Sequence, residues 1–561
     1  MNETTTKLSR NEDLKRSCPS LAGTIATTLA DPAADHFSED DNQFLKFHGV
    51  YQQDDRDLRK TGKKYIMMIR TRCPGGVATA AQYLVFDRLS RDYGNNTLRI
   101  TTRQGIQFHH VVKGNLRAVI HDLNQALVST IAACGDVVRN VTAPPTPFTN
   151  GLGARVLADA KRLSDSILPR TSAYHEIWVD GEQLNLERVN AQADVNDPLY
   201  GKTYLPRKFK FGFVIPPLND TDILANCCGF IAIEENGRLA GYNLTAGGGM
   251  GRSHNNPATF PRLADVIGFL APEQLVPVAH GVVTIHRDFG GRVDRKHARL
   301  KYVLEDHGVD WFRNELEQRI GFKLGPARPF KFERQGDAYG WHRAHDGKWF
   351  LGLFVQDGRI TDAHGPRMKT ALREIAEQVK PEFRFTPNEN VILVGLDDAQ
   401  RATTDAILAR HGVNLVRQGT PTQLASMSCV ALPTCGLALA ESERIMPEFV
   451  AKVDALLAEL GLPEQELIIR ITGCPNGCAR PYTAEIALVG RAPNKYQLFL
   501  GGNEPSTRMN RLYKDNVPYA TVLDELRPLL VRFKAERQNG ERFGDWCARV
   551  LFAELKLPER C

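Results

Sequence analysis

Four cysteines in the last quarter of the chain constrain its fold more than any other feature. Cys429 and Cys435 have five residues between them, Cys474 and Cys478 have three, and 38 residues separate the two pairs. Four thiolates that converge from two loops can hold a [4Fe–4S] cluster. Structural zinc sites usually place paired cysteines about two to four residues apart, which the first pair does not match. The spacing therefore favours an iron–sulfur cluster over a zinc site.

Two simpler interpretations of these cysteines stay open at this point. Cysteine is often buried as a small apolar residue, and four cysteines could also form two disulfides. Disulfides are typical of oxidising compartments, and the polar N-terminal sequence MNETTTKLSRNEDLKRSCPS has no apolar segment of a secretory signal. We therefore expect the 11 cysteines to be reduced and the protein to be cytoplasmic.

Length and composition exclude several classes of protein. A chain of 561 residues is too long for one ordinary core, and it predicts about two to four domains. The chain has no apolar run of about 18 residues, so we expect no membrane span. The net charge of +6 is modest, and no basic patch is interleaved with aromatic residues, so we expect no nucleic-acid partner.

Two segments of the chain look like copies of each other. Residues 98–108 and 383–393 each read as a strand with an Arg-x-Thr sequence, a short polar turn and an apolar strand. An amphipathic helical pattern precedes each segment, at 80–93 and at 368–380. The pattern indicates an internal duplication within a mixed α/β architecture, although chance similarity between short α/β units is the alternative.

Further elements are predicted around these segments. Residues 209–215 form a strand pattern, and a helix is expected to begin soon after Cys435 and to end before Gly461. Strands are predicted at 467–471, 486–489 and 498–500. The glycines at 247–249 lack the G-x-G-x-x-G fingerprint of a dinucleotide site, and we find no flavin or nicotinamide site in the sequence.

Several long motifs resemble those of the sirohaem-containing sulfite and nitrite reductases. They include TGCPNGC at 472–478, FHGVYQQDDRD at 47–57, YLPRKFK at 204–210, DRK at 294–296 and LGGN at 500–503. The likeness extends from about residue 20 to about residue 550 and is strongest to the NADPH-dependent sulfite reductases. It implies a three-lobed nitrite/sulfite reductase fold, mixed α/β, with a pseudo-twofold internal repeat.

The resemblance also implies a division of the chain. An N-terminal extension, partly disordered, would occupy 1–43, and two ferredoxin-like halves would occupy 44–131 and 341–415. A sirohaem-binding middle domain would lie at 132–340, and a C-terminal domain with the [4Fe–4S] cluster and sirohaem at 416–561.

The implied reaction is the six-electron reduction of sulfite to sulfide. Cofactors must carry the electrons, because no side chain stores them at suitable potentials. In this family one cluster cysteine also ligates the sirohaem iron, and by motif position that residue is Cys478. Sirohaem bears eight carboxylates, so a basic cradle is expected. The candidates for cofactor binding besides Cys478 are Arg99, Arg103, Arg207, Arg292, Arg295, Lys296, Lys301, Asn503 and Arg508.

Four basic residues are expected on the substrate side, because sulfite is an anion whose oxygens must leave as water. The family's positions correspond here to Arg70, Arg139, Lys208 and Lys210. On a strand, Lys208 and Lys210 would point to one face and clamp an anion. A solvated edge strand is the alternative for this spacing.

Two residues depart from the family pattern. Cys73 stands where an apolar residue is common, and we interpret it as packing. Glu389 stands where Gln is common, and its carboxylate would either perturb the haem site or pair with a neighbouring arginine.

Three functions compete. The main hypothesis is assimilatory sulfite reduction with electrons from a partner FAD/FMN flavoprotein that oxidises NADPH, or from a ferredoxin. Assimilatory nitrite reduction would use the same cofactors, and a cluster-bearing binding protein without catalysis would share only the fold. The four substrate-side cations argue against the last.

Overall fold

The computed structural model of the chain describes residues 7–147, 151–170, 178–179, 182–183, 197–363 and 365–559. The expected disorder of the first residues therefore falls largely outside the described part. The N-terminal extension carries helices at Arg10–Ser17, Ile25–Ala30 and Glu39–Phe47. Ser38 caps the third of these helices by accepting a hydrogen bond from the Asp41 amide.

Two five-stranded sheets confirm the predicted repeat. In spatial order the first contains Val50–Asp54, Tyr65–Arg70, Ile106–Val111, Leu98–Ile100 and Arg359–Ile360. The second contains Gly340–Arg343, Trp349–Leu353, Val391–Leu396, Glu382–Phe385 and Val77–Ala78. The order of strands is equivalent in the two sheets, and each sheet ends in a short strand that comes from the other half of the chain.

Paired helices pack the two repeats together. The helices of the first repeat are Ala80–Tyr93 and Leu116–Gln125, and those of the second are Met368–Gln378 and Asp398–Arg410. The ring of Tyr83 stacks on Phe383 with centroids 4.3 Å apart. Lys369 Nζ lies 2.6 Å from the buried carboxylate of Asp87. The repeats therefore share one continuous apolar core.

A four-stranded sheet forms the middle of the molecule. Its spatial order is Asp265–Leu270, Arg238–Ala246, Cys228–Glu235 and Phe211–Val214, and only the last pair is parallel. The helices around it are Leu152–Ser166, Leu275–Phe289, Leu300–His307 and Val309–Ile320. Separately, Trp178–Val179 pairs in antiparallel fashion with Glu182–Gln183.

The C-terminal domain has its own sheet and core. The strands are Met427–Ser428, Ile469–Thr472, Ile486–Ala492, Lys495–Leu500 and Arg511–Pro518, and the first three run parallel. Its helices are Pro421–Leu424, Met446–Glu459, Val522–Glu536, Phe543–Trp546 and Phe552–Glu554. Apolar side chains of the helices and strands form a core separate from that of the repeats.

The helix expected soon after Cys435 begins only at Met446. Ser442 Oγ donates to the Ile471 carbonyl at 2.7 Å, and the Glu443 amide donates to the Cys429 carbonyl at 3.1 Å. These contacts hold the preceding residues in turns, so the helical pattern of the sequence is not realised there. The predicted end is confirmed, since Gly461 has a positive φ of 72° just beyond the helix.

Among the described residues, no helix is long and apolar enough to cross a membrane.

Candidate active site

Parallel strands bring the two cysteine pairs to one edge of the C-terminal sheet. Met427–Ser428 pairs in parallel with Ile469–Thr472, and the two strands lead directly to Cys429 and Cys474. Because parallel strands end at the same edge, residues 45 positions apart become neighbours. The Gly473 amide donates a hydrogen bond to Cys429 Sγ at 3.4 Å.

The four cysteines are free thiols that lie close enough to interact electrostatically. Burial raises the pKa of Cys474 to about 12, and the charge of Cys478 adds to that shift. No three His, Cys, Asp or Glu side chains in the described ranges are arranged around a single metal ion. The assignment of the four cysteines to a [4Fe–4S] cluster stays a prediction from their spacing.

Cys478 is the exposed member of the four. Its charge acts on Arg70, Lys208 and Lys210. Its backbone carbonyl accepts a hydrogen bond from Thr102 Oγ1 of the first repeat at 3.2 Å. The structure thus brings the last cysteine of the motif together with three of the four predicted substrate-side cations.

Lys208 and Lys210 lie just before the strand rather than in it. The strand covers Phe211–Val214, and Phe209 between the two lysines forms an isolated parallel bridge with Val138. The extended backbone keeps the alternation, because Phe209 is buried while the lysines share Arg299 and Cys478 as charged neighbours. The spacing therefore places both amines on one side of the backbone. The segment that carries them forms an isolated β-bridge and not a regular strand.

Both amines are costly to keep charged without an anion. Burial, followed by nearby positive charges, lowers the pKa of Lys208 well below its ordinary value. Burial, with Arg103 and Arg299, lowers the pKa of Lys210 to about 7. In the described part of the chain, no acceptor lies within hydrogen-bond distance of either amine. A bound anion would stabilise both ammonium forms.

Arg70 and Arg139 converge on one loop, residues 133–135. Arg139 donates to the Ala133 and Gly135 carbonyls, each at 3.1 Å. Arg70 Nη1 donates to Cys134 Sγ at 3.2 Å, and its Nε lies 3.0 Å from the amide oxygen of Gln107 in the amide orientation that satisfies both groups. The loop fixes how both guanidinium groups point, and the sequence analysis had assigned Cys134 no role.

Arg299 is a further cation that the sequence analysis missed. It is 8% exposed, and none of the described residues accepts a hydrogen bond from its guanidinium group. A Cβ at Gly251 would lie 2.7 Å from Arg299 Nη2 and 3.0 Å from the Asn476 carbonyl of the cluster loop. Its position in the basic run RKHARLKY was the only available signal, and that run is no denser in charge than many solvated segments.

Three of the predicted cradle arginines are already neutralised by the protein. Arg99 Nη1 lies 3.1 Å from Glu389 and its Nε lies 3.1 Å from Glu443. Arg292 pairs with the buried carboxylate of Glu12. Arg295 makes two hydrogen bonds to Asp136, at 2.5 and 2.8 Å. These ion pairs join distant segments of the chain, and the cofactor role of the three arginines stays a prediction.

Three other candidates support loops. Lys301 Nζ donates to the carbonyls of Gly249, Gly251 and Phe260. Asn503 accepts from the amides of Thr507 and Arg508. Arg508 donates to the Gly501 carbonyl at 2.9 Å and pairs with Asp545 at 2.7 Å.

The remaining candidates differ in how many hydrogen bonds and ion pairs they form with the described residues. Arg103 donates to Asn226 Oδ1 at 2.6 Å and to two carbonyls, and burial lowers its pKa to about 9. Arg207 is 4.0 Å from Asp136, its one ion pair among the described residues. Lys296 is exposed and forms no ion pair within the described part. Among the predicted cradle residues, Arg207 and Lys296 are therefore the least engaged by the described part of the chain, and Arg299 resembles them in this.

The two departures from the family pattern have structural explanations. Cys73 is buried beside Thr71 Oγ1 at 3.4 Å, and burial raises its pKa to about 11, which fits a packing role. Glu389 pairs with Arg99, which is one of the two alternatives given in the sequence analysis. Burial raises the pKa of Glu389 to about 8 despite that arginine.

Curated relatives match this chain almost from end to end. Proteins named sulfite reductase [NADPH] hemoprotein beta-component are 48% identical over 549 residues in Myxococcus xanthus and 46% identical over 546 residues in Geobacillus kaustophilus. The matches cover 97% and 96% of this chain, and 96% and 95% of the relatives. The chain belongs to the nitrite and sulphite reductase family. A protein of the same name from Xanthomonas oryzae is 48% identical over 548 residues, 96% of each chain.

Two sequence models of the nitrite and sulphite reductase family match separate regions. The ferredoxin-like half domain matches twice, at residues 59–126 and 342–411, which agrees with the duplicated sheets. The 4Fe–4S domain matches residues 158–324, so the match covers the middle sheet and not the four cysteines. The structure of Mycobacterium tuberculosis NirA superposes with a TM-score of 0.76 over 97% of this chain and 96% of that one, at 23% identity, which supports the fold alone.

Proposed function

We propose that this chain is the haemoprotein of an assimilatory sulfite reductase, which reduces sulfite to sulfide at sirohaem coupled to a [4Fe–4S] cluster. The observation that carries the proposal is the convergence of Arg70, Lys208 and Lys210 on Cys478. The relatives named as sulfite reductase hemoproteins supply the reaction class.

The four cysteines would hold the cluster, with Cys478 shared between the cluster and the sirohaem iron. The sirohaem carboxylates would be received by Arg207, Lys296 and Arg299, while Arg103 would contribute in part. When bound, the two groups accept single electrons and deliver them to the substrate. Arg99, Arg292, Arg295, Lys301, Asn503 and Arg508 would position the loops and domains around that site.

The substrate-side cations bind the sulfite oxygens and supply protons. Conversion of SO₃²⁻ to S²⁻ consumes six electrons and six protons and releases three waters, so each oxygen needs two protons before it leaves. The charge of Cys478 acts on both Lys208 and Lys210. The anion that the two lysines bind stabilises their ammonium groups. Arg70 and Arg139, held by the loop 133–135, keep the anion in place through fixed donors.

Electrons must come from another protein, since no nucleotide-binding fingerprint was found in the sequence. We propose an FAD/FMN flavoprotein subunit that oxidises NADPH as the donor, because the relatives carry NADPH in their names. A ferredoxin is the second candidate. We further propose that the protein acts in the cytoplasm, where its cysteines stay reduced.

The test measures sulfide and ammonia formed by the purified, sirohaem-loaded chain with reduced methyl viologen and matched sulfite or nitrite. A higher kcat/KM for sulfite, with six electrons consumed per sulfide, is the expected result. A clear preference for nitrite would change the assignment to nitrite reductase. No turnover of either anion would contradict catalysis and favour a cluster-bearing binding protein.

A variant links the activity to the geometry. Lys208→Ala is expected to lose sulfite turnover by about 100-fold or more while the sirohaem absorbance stays. Lys331→Ala is the matched control, because this lysine is 81% exposed and far in sequence from the site. Unaltered turnover in Lys208→Ala would remove that residue from the mechanism.

A further inference from the structure

A buried glutamine connects Arg70 to a buried histidine on the central strand of the first sheet. The strand covers Ile106–Val111, and in the antiparallel register its Gln107 stands opposite Arg70 of the neighbouring strand. Directly opposed residues share one face of a sheet, and so do residues two positions apart along a strand. His109 therefore lies on the same face as Gln107 and Arg70.

The side-chain amide of Gln107 contacts both neighbours. In the orientation that satisfies both, its oxygen accepts hydrogen bonds from Arg70 Nε at 3.0 Å and from Arg70 Nη2, while its nitrogen donates to His109 Nε2 at 3.3 Å. Gln107 is 5% exposed and His109 is 3% exposed, so water competes little for these bonds. The reversed amide would turn its N–H groups toward a guanidinium that can only donate.

The ring of His109 forms no other hydrogen bond within the described part of the chain, where its buried Nδ1 has no partner. Burial is the main cause that lowers the pKa of His109 well below its ordinary value, and nearby groups add to the shift. Those groups are Arg359, His110, Arg99 and Arg70. The ring is therefore neutral, and because Nε2 accepts from Gln107, the proton is on Nδ1.

Three contacts fix the guanidinium group of Arg70. Gln107 binds its Nε and Nη2, Cys134 Sγ accepts from Nη1 at 3.2 Å, and the centroid of the Tyr51 ring lies 6.0 Å from its Cζ. These acceptors use three of the five N–H groups of the guanidinium, so one on each terminal nitrogen is left for an anion. The oxygen of Gln107 holds the Nε–Nη2 edge and thereby sets the direction of those two groups.

We propose that His109 is a positioning residue for the substrate-side cation Arg70. As a neutral acceptor, the imidazole holds the Gln107 amide in one orientation, and the amide oxygen in turn directs the guanidinium toward the anion. The inference rests on the proposed function, because it takes Arg70 as a group that binds sulfite. His109 acts through Gln107 and not on the anion itself.

Sulfite kinetics and sulfite binding of the sirohaem-loaded protein test the proposal. The KM and kcat are measured with reduced methyl viologen, and the Kd is measured from the change in sirohaem absorbance on sulfite addition. In His109→Phe the amide loses the acceptor that orients it, so the KM and Kd for sulfite should rise about tenfold. The kcat should stay within about twofold, because the lost contact holds the anion in the ground state and in the transition state alike.

A substitution at Gln107 separates positioning from damage to the core. In Gln107→Glu either carboxylate oxygen can accept from Arg70, so no histidine is needed to orient the group. His109→Phe should therefore change the KM by less than about twofold in the Gln107→Glu background, against about tenfold in the wild type. A general disturbance of packing would raise the KM equally in both backgrounds.

Two more variants complete the experiment. Gln107→Leu removes the acceptor itself and should raise the KM for sulfite at least as much as His109→Phe does, and it decides the matter if His109→Phe does not retain sirohaem. His121→Phe is the control, because this histidine belongs to the same repeat and its side chain is 65% exposed. It should keep the wild-type KM.

Equal effects of His109→Phe in the two backgrounds would overturn the proposal, and so would a wild-type KM in Gln107→Leu. Failure of the proposed function gives a different result. In that case the wild-type holoprotein itself would form no sulfide from sulfite with methyl viologen.

Discussion

Removing the amine of Lys301 should loosen the loop that connects the middle domain to the cluster. Lys301 is fully buried, and its Nζ donates to Gly251 at 2.8 Å, to Gly249 at 3.1 Å and to Phe260. The same loop reaches the cysteine motif, since the Arg252 amide donates to the Pro475 carbonyl at 3.0 Å. In Lys301→Met the side chain keeps its volume and loses all three donors.

The magnitude follows from those three hydrogen bonds. Burial lowers the pKa of Lys301 to about 6, but three carbonyl acceptors need all three N–H groups of an ammonium ion, and they stabilise it. A buried carbonyl left without a donor costs about 1 to 3 kcal/mol. Allowing for relaxation and the removed desolvation of the amine, we expect a loss of about 3 to 5 kcal/mol. For a domain of this size that corresponds to a melting temperature lower by roughly 6 °C or more.

The assay compares thermal unfolding and cofactor content of the purified holoproteins. Lys301→Met should melt lower and retain less sirohaem and iron, because the loop also contacts the cluster motif. Lys202→Met, a change at an exposed lysine of the same domain, is the control and should stay within about 0.5 kcal/mol of the wild type. A Lys301→Met protein with wild-type melting and full cofactor content would refute the reasoning.

Two further predictions concern buried charges. Because burial raises the pKa of Glu389 to about 8 from 4.5, the folded state binds an extra proton, and the wild type should lose stability as pH rises from about 4.5 to about 8. In Glu389→Gln the melting temperature should fall less between pH 5.5 and pH 8 than it does in the wild type. An equal fall in the two proteins would contradict the assignment. Asp136→Asn removes the carboxylate that pairs with Arg295 and one of the two that pair with Lys15, which keeps Glu12. Amide exchange in residues 10–17 should therefore rise markedly, with about 3 to 5 kcal/mol of local stability lost, and unchanged exchange there would contradict the prediction.

The parts of the site that the sequence predicted are those set by local pattern. The cysteine spacing predicted that four thiolates converge from two loops, and the strand predicted at 467–471 is observed at Ile469–Thr472. The repeats were visible because the same order of helix, strand, turn and strand recurs in the sequence. Such features depend on residues a few positions apart, which periodicity captures.

The contacts that the sequence did not predict join residues that are far apart along the chain. Arg99, Arg292 and Arg295 were predicted to bind the cofactor, and that stays a prediction. The sequence did not show that they pair with carboxylates 344, 280 and 159 residues away. Charge density alone cannot tell an arginine that faces a ligand from one that joins two domains. Arg299 was overlooked for the converse reason, since its lack of a partner among the described residues shows only when the surrounding loops are in place.

The exchanged end strands have a consequence for how such a chain can be divided. Val77–Ala78 completes the sheet of the second repeat, and Arg359–Ile360 completes that of the first. Each repeat cut out alone would expose an unpaired strand edge, which is a template for aggregation. The arrangement is that of a swapped dimer whose two subunits have been joined into one polypeptide. Separate production of the halves should therefore give soluble protein only when both are made together.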